Sequence, residues 1–325
     1  MGLSEINWGI IGCGDVTEVK SGPAFNKVPA SRLVAVMRRN AEKAEDYALR
    51  HGVPKWFTDA NLLINDPNLN AIYIATPPLH HEEYALAAIS AGKPVYVEKP
   101  MSLNAAGAER MKAASQETGV KLSIAHYRRQ LPLFLKIKAL LEEGVIGDVR
   151  LANLQYFQPH NSSIVAKTED NWRLNPSISG GGLFHDLAPH QLDLMLYFFG
   201  KPIEVKGVAF NASKLYAADD VISGQILFPN DVLFTGTWAF TVPEKRDICE
   251  IIGSKGTLRF SIFNHHSLSL IQDNTETKME FNPPAHIQQP MIERVVQYFL
   301  GKEENPCSAG DGVEVMRMID ALAAK

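Results

Sequence analysis

The sequence predicts an N-terminal α/β domain over residues 1–126 with a doubly wound parallel sheet. It predicts an α+β domain over residues 127–325 around an open, mainly antiparallel sheet. Three observations carry this. The chain has 325 residues, more than one typical domain of about 100 to 200, and 46% apolar residues can bury a substantial core. Short apolar runs alternate with amphipathic stretches through the first third. After about Arg129 the pattern changes to strands with no helices between them.

In order along the chain, the runs Trp8 to Ile11, Leu33 to Met37, Ala71 to Ala75, Pro94 to Val97 and Lys121 to Ala125 read as strands. Ala41 to His51 and Glu82 to Ala91 read as helices between them, the second ending at Gly92 before Lys93 and Pro94. Strand and helix in alternation imply a parallel sheet covered on both faces. A helix from Leu133 to Glu143 stops at Gly144. Val221 to Phe228, Val232 to Phe240 and Glu250 to Phe260 then read as strands. Val232, Phe234, Gly236, Trp238 and Phe240 alternate with the residues between them, and Lys255 with Gly256 marks a hairpin turn. Pro290 to Leu300 and Val313 to Ala324 are helical in period and close the chain.

Composition narrows the function classes. With 32 Lys and Arg against 36 Asp and Glu, the net charge is -4 and no basic cluster suggests nucleic acid. No stretch approaches the roughly 20 apolar residues of a membrane span, and Met1 to Asn7 has no secretory signal character. Cys13, Cys249 and Cys307 are scattered, with neither a disulfide framework nor metal-ligand spacing, so no metal is expected. A soluble protein of the reducing cytoplasm is the expectation.

The first strand runs into Gly12, Cys13, Gly14, Asp15, Val16 and Thr17, a G-x-G-x-x-T turn where a strand hands over to a helix. In a Rossmann domain the first glycine permits the tight turn and the second admits a pyrophosphate. The helix N-terminus then offers oriented N–H groups. Thr17 stands where Gly or Ala is usual, which predicts a helix slightly farther from the strand. Glycine in such a turn also has a purely steric explanation. The second strand ends at Met37, Arg38 and Arg39, without the carboxylate that holds the ribose diol of NAD about 20 residues past the turn. Arginine there suits a 2′-phosphate, so Arg38 and Arg39 favour NADP, with NAD the alternative; two solvated arginines are the plainer reading.

Three further segments are more specific: Ala75-Thr76-Pro77-Pro78-Leu79-His80-His81, Ala91-Gly92-Lys93-Pro94-Val95-Tyr96-Val97-Glu98-Lys99-Pro100, and Gly180-Gly181-Gly182-Leu183-Phe184-His185-Asp186-Leu187-Ala188-Pro189-His190. With the opening turn they resemble the glucose-fructose oxidoreductase, inositol dehydrogenase and MocA (Gfo/Idh/MocA) family, over nearly the whole chain and in the right order. The resemblance implies a Rossmann domain, a C-terminal open antiparallel sheet and an active site between them. It implies hydride transfer to or from a CH–OH or C=O carbon of a sugar or polyol. Lys99 then reaches the reacting oxygen and the nicotinamide region, His190 accepts or donates the proton, and Asp186 holds a substrate hydroxyl. These residue types suit the chemistry: the hydroxyl proton must leave, a group titrating near neutrality takes it best, and an ammonium stabilises developing alkoxide charge.

Asp186 and His190, four residues apart, share a helical face, and Pro189 argues for a helix starting near Asp186. Asp186 could instead cap that helix, Lys99 could be a turn lysine and His190 a core residue. By the same resemblance Thr76, Pro77 and Pro78 line the nicotinamide ribose, and His81 and Glu98 join the cofactor set. Trp172 and Arg173 lie near cofactor or substrate. Tyr127, Arg128 and Arg129 follow the last strand of the parallel sheet, at the edge where ligands collect, and Tyr127 and Arg128 are substrate candidates; a surface salt bridge is the alternative for Arg128. Trp238 reads as sheet packing rather than a sugar platform. Two other outcomes stay open: a relative that holds NAD tightly for redox-assisted glycoside cleavage, and a metabolite sensor without turnover. The resemblance also implies a homodimer or homotetramer.

Overall fold

The computed structural model describes residues 3–160 and 171–324, so Met1 and Gly2 of the N-terminal segment lie outside it. The chain divides into two compact units. One holds the residues up to Tyr127 together with Pro284–Val313; the other holds Arg128–Pro283 and the residues from Glu314 on.

The first unit opens with β1 (Ile6–Ile11), α1 (Asp15–Val19) and a 3₁₀ turn over Gly22–Asn26. It continues through β2 (Ser31–Met37), α2 (Ala41–His51), β3 (Lys55–Phe57), α3 (Ala60–Ile64) and β4 (Ala71–Ile74). α4 (His81–Ser90), β5 (Val95–Val97), α5 (Ala105–Thr118) and β6 (Leu122–Ile124) complete the alternation. The strands pair in parallel in the order β3-β2-β1-β4-β5-β6. Every residue of β4, β5 and β6 is buried, as strands covered on both faces must be. The helix ends follow from single residues. The Asn40 side chain accepts from Lys43 N at 2.8 Å to start α2, and Gly52 at φ 64° ends it. Asp59 and Asn104 start α3 and α5 in the same way.

The division expected after residue 126 differs from the observed one in the placement of the returning segment, which contains α9 (Gln289–Phe299). It is held in the first unit by specific contacts. Lys121 Nζ donates to the Tyr298 and Phe299 carbonyls at 2.6 and 3.3 Å, and Phe299 lies 5.5 Å from the fully buried Trp8 ring.

In the second unit α6 (Pro132–Glu142) leads into β7 (Val149–Phe157), and α7 (Pro176–Ser179) precedes the long α8 (Leu183–Phe199). β8 (Glu204–Phe210), β9 (Val221–Phe228), β10 (Val232–Ala239), β11 (Arg246–Gly253), β12 (Thr257–Phe260), β13 (Ser267–Gln272) and β14 (Thr275–Glu280) follow. The final helix is α10 (Ala309–Leu322). The sheet order is β14-β13-β12-β11-β7-β10-β9-β8, antiparallel except where β10 meets β7. The single strand expected over Glu250 to Phe260 is two, β11 and β12, with Lys255 and Gly256 between them. In β10 the alternate residues Val232, Phe234, Gly236 and Trp238 are buried. Trp238 packs edge-on to Phe184 at 5.1 Å, and its Nε1 donates to Gln191 Oε1 at 2.6 Å, so it is a core residue. No helix among the described residues is long and apolar enough to cross a membrane.

Candidate active site

In the first unit the strand order reverses between β1 and β4, and the expected residues cluster at the carboxyl ends of β1, β2, β4 and β5. Gly12 has φ 94°, and a Cβ there would lie 2.8 Å from Thr76 N and 2.9 Å from Thr76 Cγ2. Only glycine lets the turn pass the loop after β4. Gly14 has open space on its Cβ side, its nearest neighbour being Gly12 O at 4.0 Å. Thr17 is buried inside the turn, its N–H and hydroxyl both donating to Gly14 O at 2.9 and 2.7 Å. Asp15 is exposed and Val16 half-buried.

At the end of β2 the backbone N–H of Arg38 bonds to Phe57 O at 3.1 Å, and Nη1 donates to Cys13 O at 3.2 Å. The guanidinium is thereby fixed beside the glycine turn, while Arg39 is exposed. Burial raises the Cys13 thiol to about 11 against the pull of Arg38, so it stays protonated at neutral pH.

Thr76 Oγ1 is buried without a hydrogen-bond partner. Pro77 is half-buried and Pro78 buried, at the start of a 3₁₀ turn over Pro78–His80. His81 is fully buried, with Nε2 2.7 Å from Thr76 O and Nδ1 2.8 Å from Pro100 O. Burial lowers it to about 4, against the two carbonyls, so the ring is neutral near pH 7. A neutral imidazole has one N–H and donates to one of those carbonyls at a time.

Glu98 is also turned inward. It is 5% exposed; Oε1 accepts from Tyr73 OH at 2.6 Å and Gln288 Nε2 at 2.7 Å, and Oε2 accepts from the Lys99 backbone N–H at 3.2 Å. Lys99 itself is half-buried and precedes the cis Lys99–Pro100 bond. Tyr127, buried, opens the 3₁₀ turn after β6.

In the second unit the glycine run is a steric necessity. Gly180 and Gly182 have φ 93° and 78°; a Cβ on Gly182 would lie 2.3 Å from Ala218 Cβ, and one on Gly181 2.1 Å from the His185 ring. α8 begins at Leu183 with Gly182 as its N-cap, so Asp186 is not the cap and Pro189 lies inside the helix. This corrects the expected start near Asp186: glycine at 182 is the residue that can turn the chain into the helix, and the proline is accommodated by giving up one bond to the carbonyl four residues back. The Asp186 carboxylate instead accepts from Arg173 Nε at 3.1 Å, and that guanidinium lies 4.4 Å over the Trp172 ring. One turn on, His190 is buried with its ring 5.8 Å edge-on to Phe263.

Phe263 is the hub of this wall. Arg128 stacks on it at 4.7 Å and Tyr156 at 4.9 Å. Arg128 is buried, with Nη1 donating to Ile262 O at 2.7 Å, so the alternative of a surface salt bridge does not hold. Burial, and then the neighbouring Arg128, lowers His265 to about 4. Asp247 holds the loop that carries Phe263, accepting from Ile262 N at 3.2 Å and Phe263 N at 2.7 Å. Arg129, beside Arg128 in sequence, forms a buried bidentate pair with Asp193. Sequence reasoning missed Phe263, Tyr156, Asp247 and this pair. Arg129 left a signal in its place beside Tyr127 and Arg128, and Asp193 in lying three residues beyond His190 on the same helix.

A glycine turn with open space at Gly14, and with Gly12 packed against Thr76 whose buried hydroxyl has no partner, fits a dinucleotide whose phosphates and ribose bring the missing polar groups. Among the described residues no group of three or more His, Cys, Asp and Glu could hold a metal. The order of the parallel sheet, the glycine turn and the acid–base residue types together define an NAD(P)-binding oxidoreductase.

The chain belongs to the Gfo/Idh/MocA oxidoreductase family. Residues 6–126 match the oxidoreductase family model with an NAD-binding Rossmann fold, and residues 134–259 match the GFO/IDH/MocA C-terminal domain. It is 49% identical over 319 residues to Oxidoreductase P35 of Formosa agariphila, covering 98% of each chain. It is 28% identical over 256 residues to 1,5-anhydro-D-fructose reductase of Ensifer adhaerens, covering 77% of this chain and 74% of that one. The crystal structure of aldose-aldose oxidoreductase from Caulobacter crescentus complexed with glycerol has the same fold, with a TM-score of 0.86 at 24% identity over 98% of this chain and 96% of that one.

Proposed function

We propose that the protein is a cytoplasmic, homodimeric or homotetrameric dehydrogenase or reductase that prefers NADP and interconverts CH–OH and C=O at one carbon of a sugar or polyol-like substrate. The observation that carries the cofactor preference is Arg38, tied to the Cys13 carbonyl at the glycine turn where a ribose-binding carboxylate would stand. The substrate class is supported by the resemblance to 1,5-anhydro-D-fructose reductase.

In this reading Gly12, Gly14, Asp15, Val16, Arg38, Arg39, Thr76, Pro77 and Pro78 hold NADP, with Trp172 and Arg173 beside it. Bound there, the nicotinamide supplies or takes up the hydride. His190 takes the hydroxyl proton in the oxidative direction, and the Lys99 ammonium stabilises the developing alkoxide. Asp186, held by Arg173, orients a substrate hydroxyl, and Arg128 and Tyr127 contact the rest of the substrate.

The test is fluorescence titration of NADPH and NADH against the wild type and Arg38→Ala. The expected result is NADPH binding weakened about tenfold or more, the scale of a lost charged hydrogen bond, with NADH binding little changed. Binding of neither cofactor by the wild type refutes the oxidoreductase reading for this chain. Equal effects on both cofactors refute the NADP preference.

A further inference from the structure

Gln288 belongs to none of the motifs above, yet it is fully buried at the N-cap of α9, far along the chain from Lys99. Its backbone N–H donates to Lys20 O at 3.1 Å, and its side chain donates to Glu98 Oε1 at 2.7 Å. The same oxygen receives the Tyr73 hydroxyl at 2.6 Å, and Tyr73 stacks on Tyr96 at 5.2 Å in the core. The opposite oxygen of this carboxylate takes the backbone N–H of Lys99. One face of the carboxylate is thus anchored by two donors from rigid, buried positions, and the other grips the residue that carries the amine. Beyond Lys99 the chain is held again, where the Pro100 carbonyl meets the His81 ring.

A carboxylate with one anchoring donor can pivot about that contact; with two on the same oxygen its plane is set. We propose that Gln288 is a positioning residue for Lys99, acting through Glu98 to fix the direction in which the lysine leaves the β5 strand end. The effect on turnover rests on the proposed role of Lys99; the effect on the amine's surroundings does not.

The experiment uses the full-length protein with Gln288→Met, which keeps the length and removes the donor, Tyr73→Phe, and the double variant. Competitive acetylation by acetic anhydride, read by peptide mass spectrometry, gives the reactivity of Lys99 relative to the exposed Lys245. We expect Gln288→Met to change that ratio by about threefold or more, because the amine then leaves the strand end into different surroundings. The double variant should change it by less than the product of the singles, because both donors act on one oxygen. With NADPH and a turned-over sugar, kcat should fall about tenfold while both KM values stay within about twofold. Gln288→Asn, which shortens the arm, serves if the methionine variant does not fold. Unchanged Lys99 reactivity in a folded Gln288 variant, even with a lower Tm, overturns the inference and leaves Gln288 as a stitch for α9. A change in Lys99 reactivity in a protein that turns over no sugar upholds it and removes the proposed function instead.

Discussion

The side chains of Arg129 and Asp193 are 6% and 1% exposed and meet with N–O distances of 2.7 to 3.0 Å, the guanidinium also lying 5.3 Å over the Tyr197 ring. The pair stabilises little against an apolar replacement, but removing one half leaves the other a buried charge without the bidentate contact that balances it. Asp193→Ala should therefore cost about 3–5 kcal/mol, seen as a lower urea midpoint, and Arg129→Met with Asp193→Leu should recover much of it. Asp66 makes a different case. Burial alone would raise its pKa, but the Lys55 ammonium and the Asn68 N–H groups outweigh that and hold it at about 2, below the usual 3.8. A carboxyl depressed by folding contributes stability that is present above its unfolded value and lost as pH falls toward the folded one. Thermal melts between pH 5 and 2 should show a loss that Asp66→Asn lacks; parallel curves for the two proteins would assign the acid sensitivity elsewhere.

Among the elements, α8 holds a proline in its interior, where the ring removes the bond to the His185 carbonyl. Pro189→Ala restores that donor and should raise stability by about 1–3 kcal/mol in a thermal melt; a lower Tm would mean that packing of the buried ring outweighs the bond. Sequence pattern places the helix start too late here, because proline suits a first turn, whereas the positive φ of Gly182 sets it. Elements with caps or strict alternation were legible: α2 between Asn40 and Gly52, and β10 with its alternate buried residues. β3, β7, β8, β13 and β14 were not. β14 is almost wholly exposed, and β8 has no regular alternation, so neither writes a buried face into the sequence. The parallel pairing of β7 with β10 is a long-range choice that no local pattern encodes.

At the scale of the molecule, the candidate site was legible where residues come in runs, as in the glycine turn, Glu98-Lys99-Pro100 and the glycine run before Asp186. Gln288, Phe263 and Asp247 are single residues brought to their partners from distant positions, and spacing says nothing of them. The same non-locality governs folding of the first unit, whose core includes Phe299 against Trp8. A fragment of residues 1–127 should melt without a cooperative transition, while the same fragment fused through a flexible linker to residues 284–313 should melt cooperatively. Circular dichroism distinguishes them, and equal cooperativity would show that α9 is an appendage.

The chain passes between its two units three times, after Tyr127, after Pro283 and, within α10, after Val313. Neither unit is therefore a cassette at the level of the gene. One recombination junction cannot exchange the sheet for another: an incoming segment must replace residues 128–283 and still hand the chain back at Pro284, where Gln288 stands four residues on. Exchange of that sheet thus needs paired junctions that leave the returning helix in place.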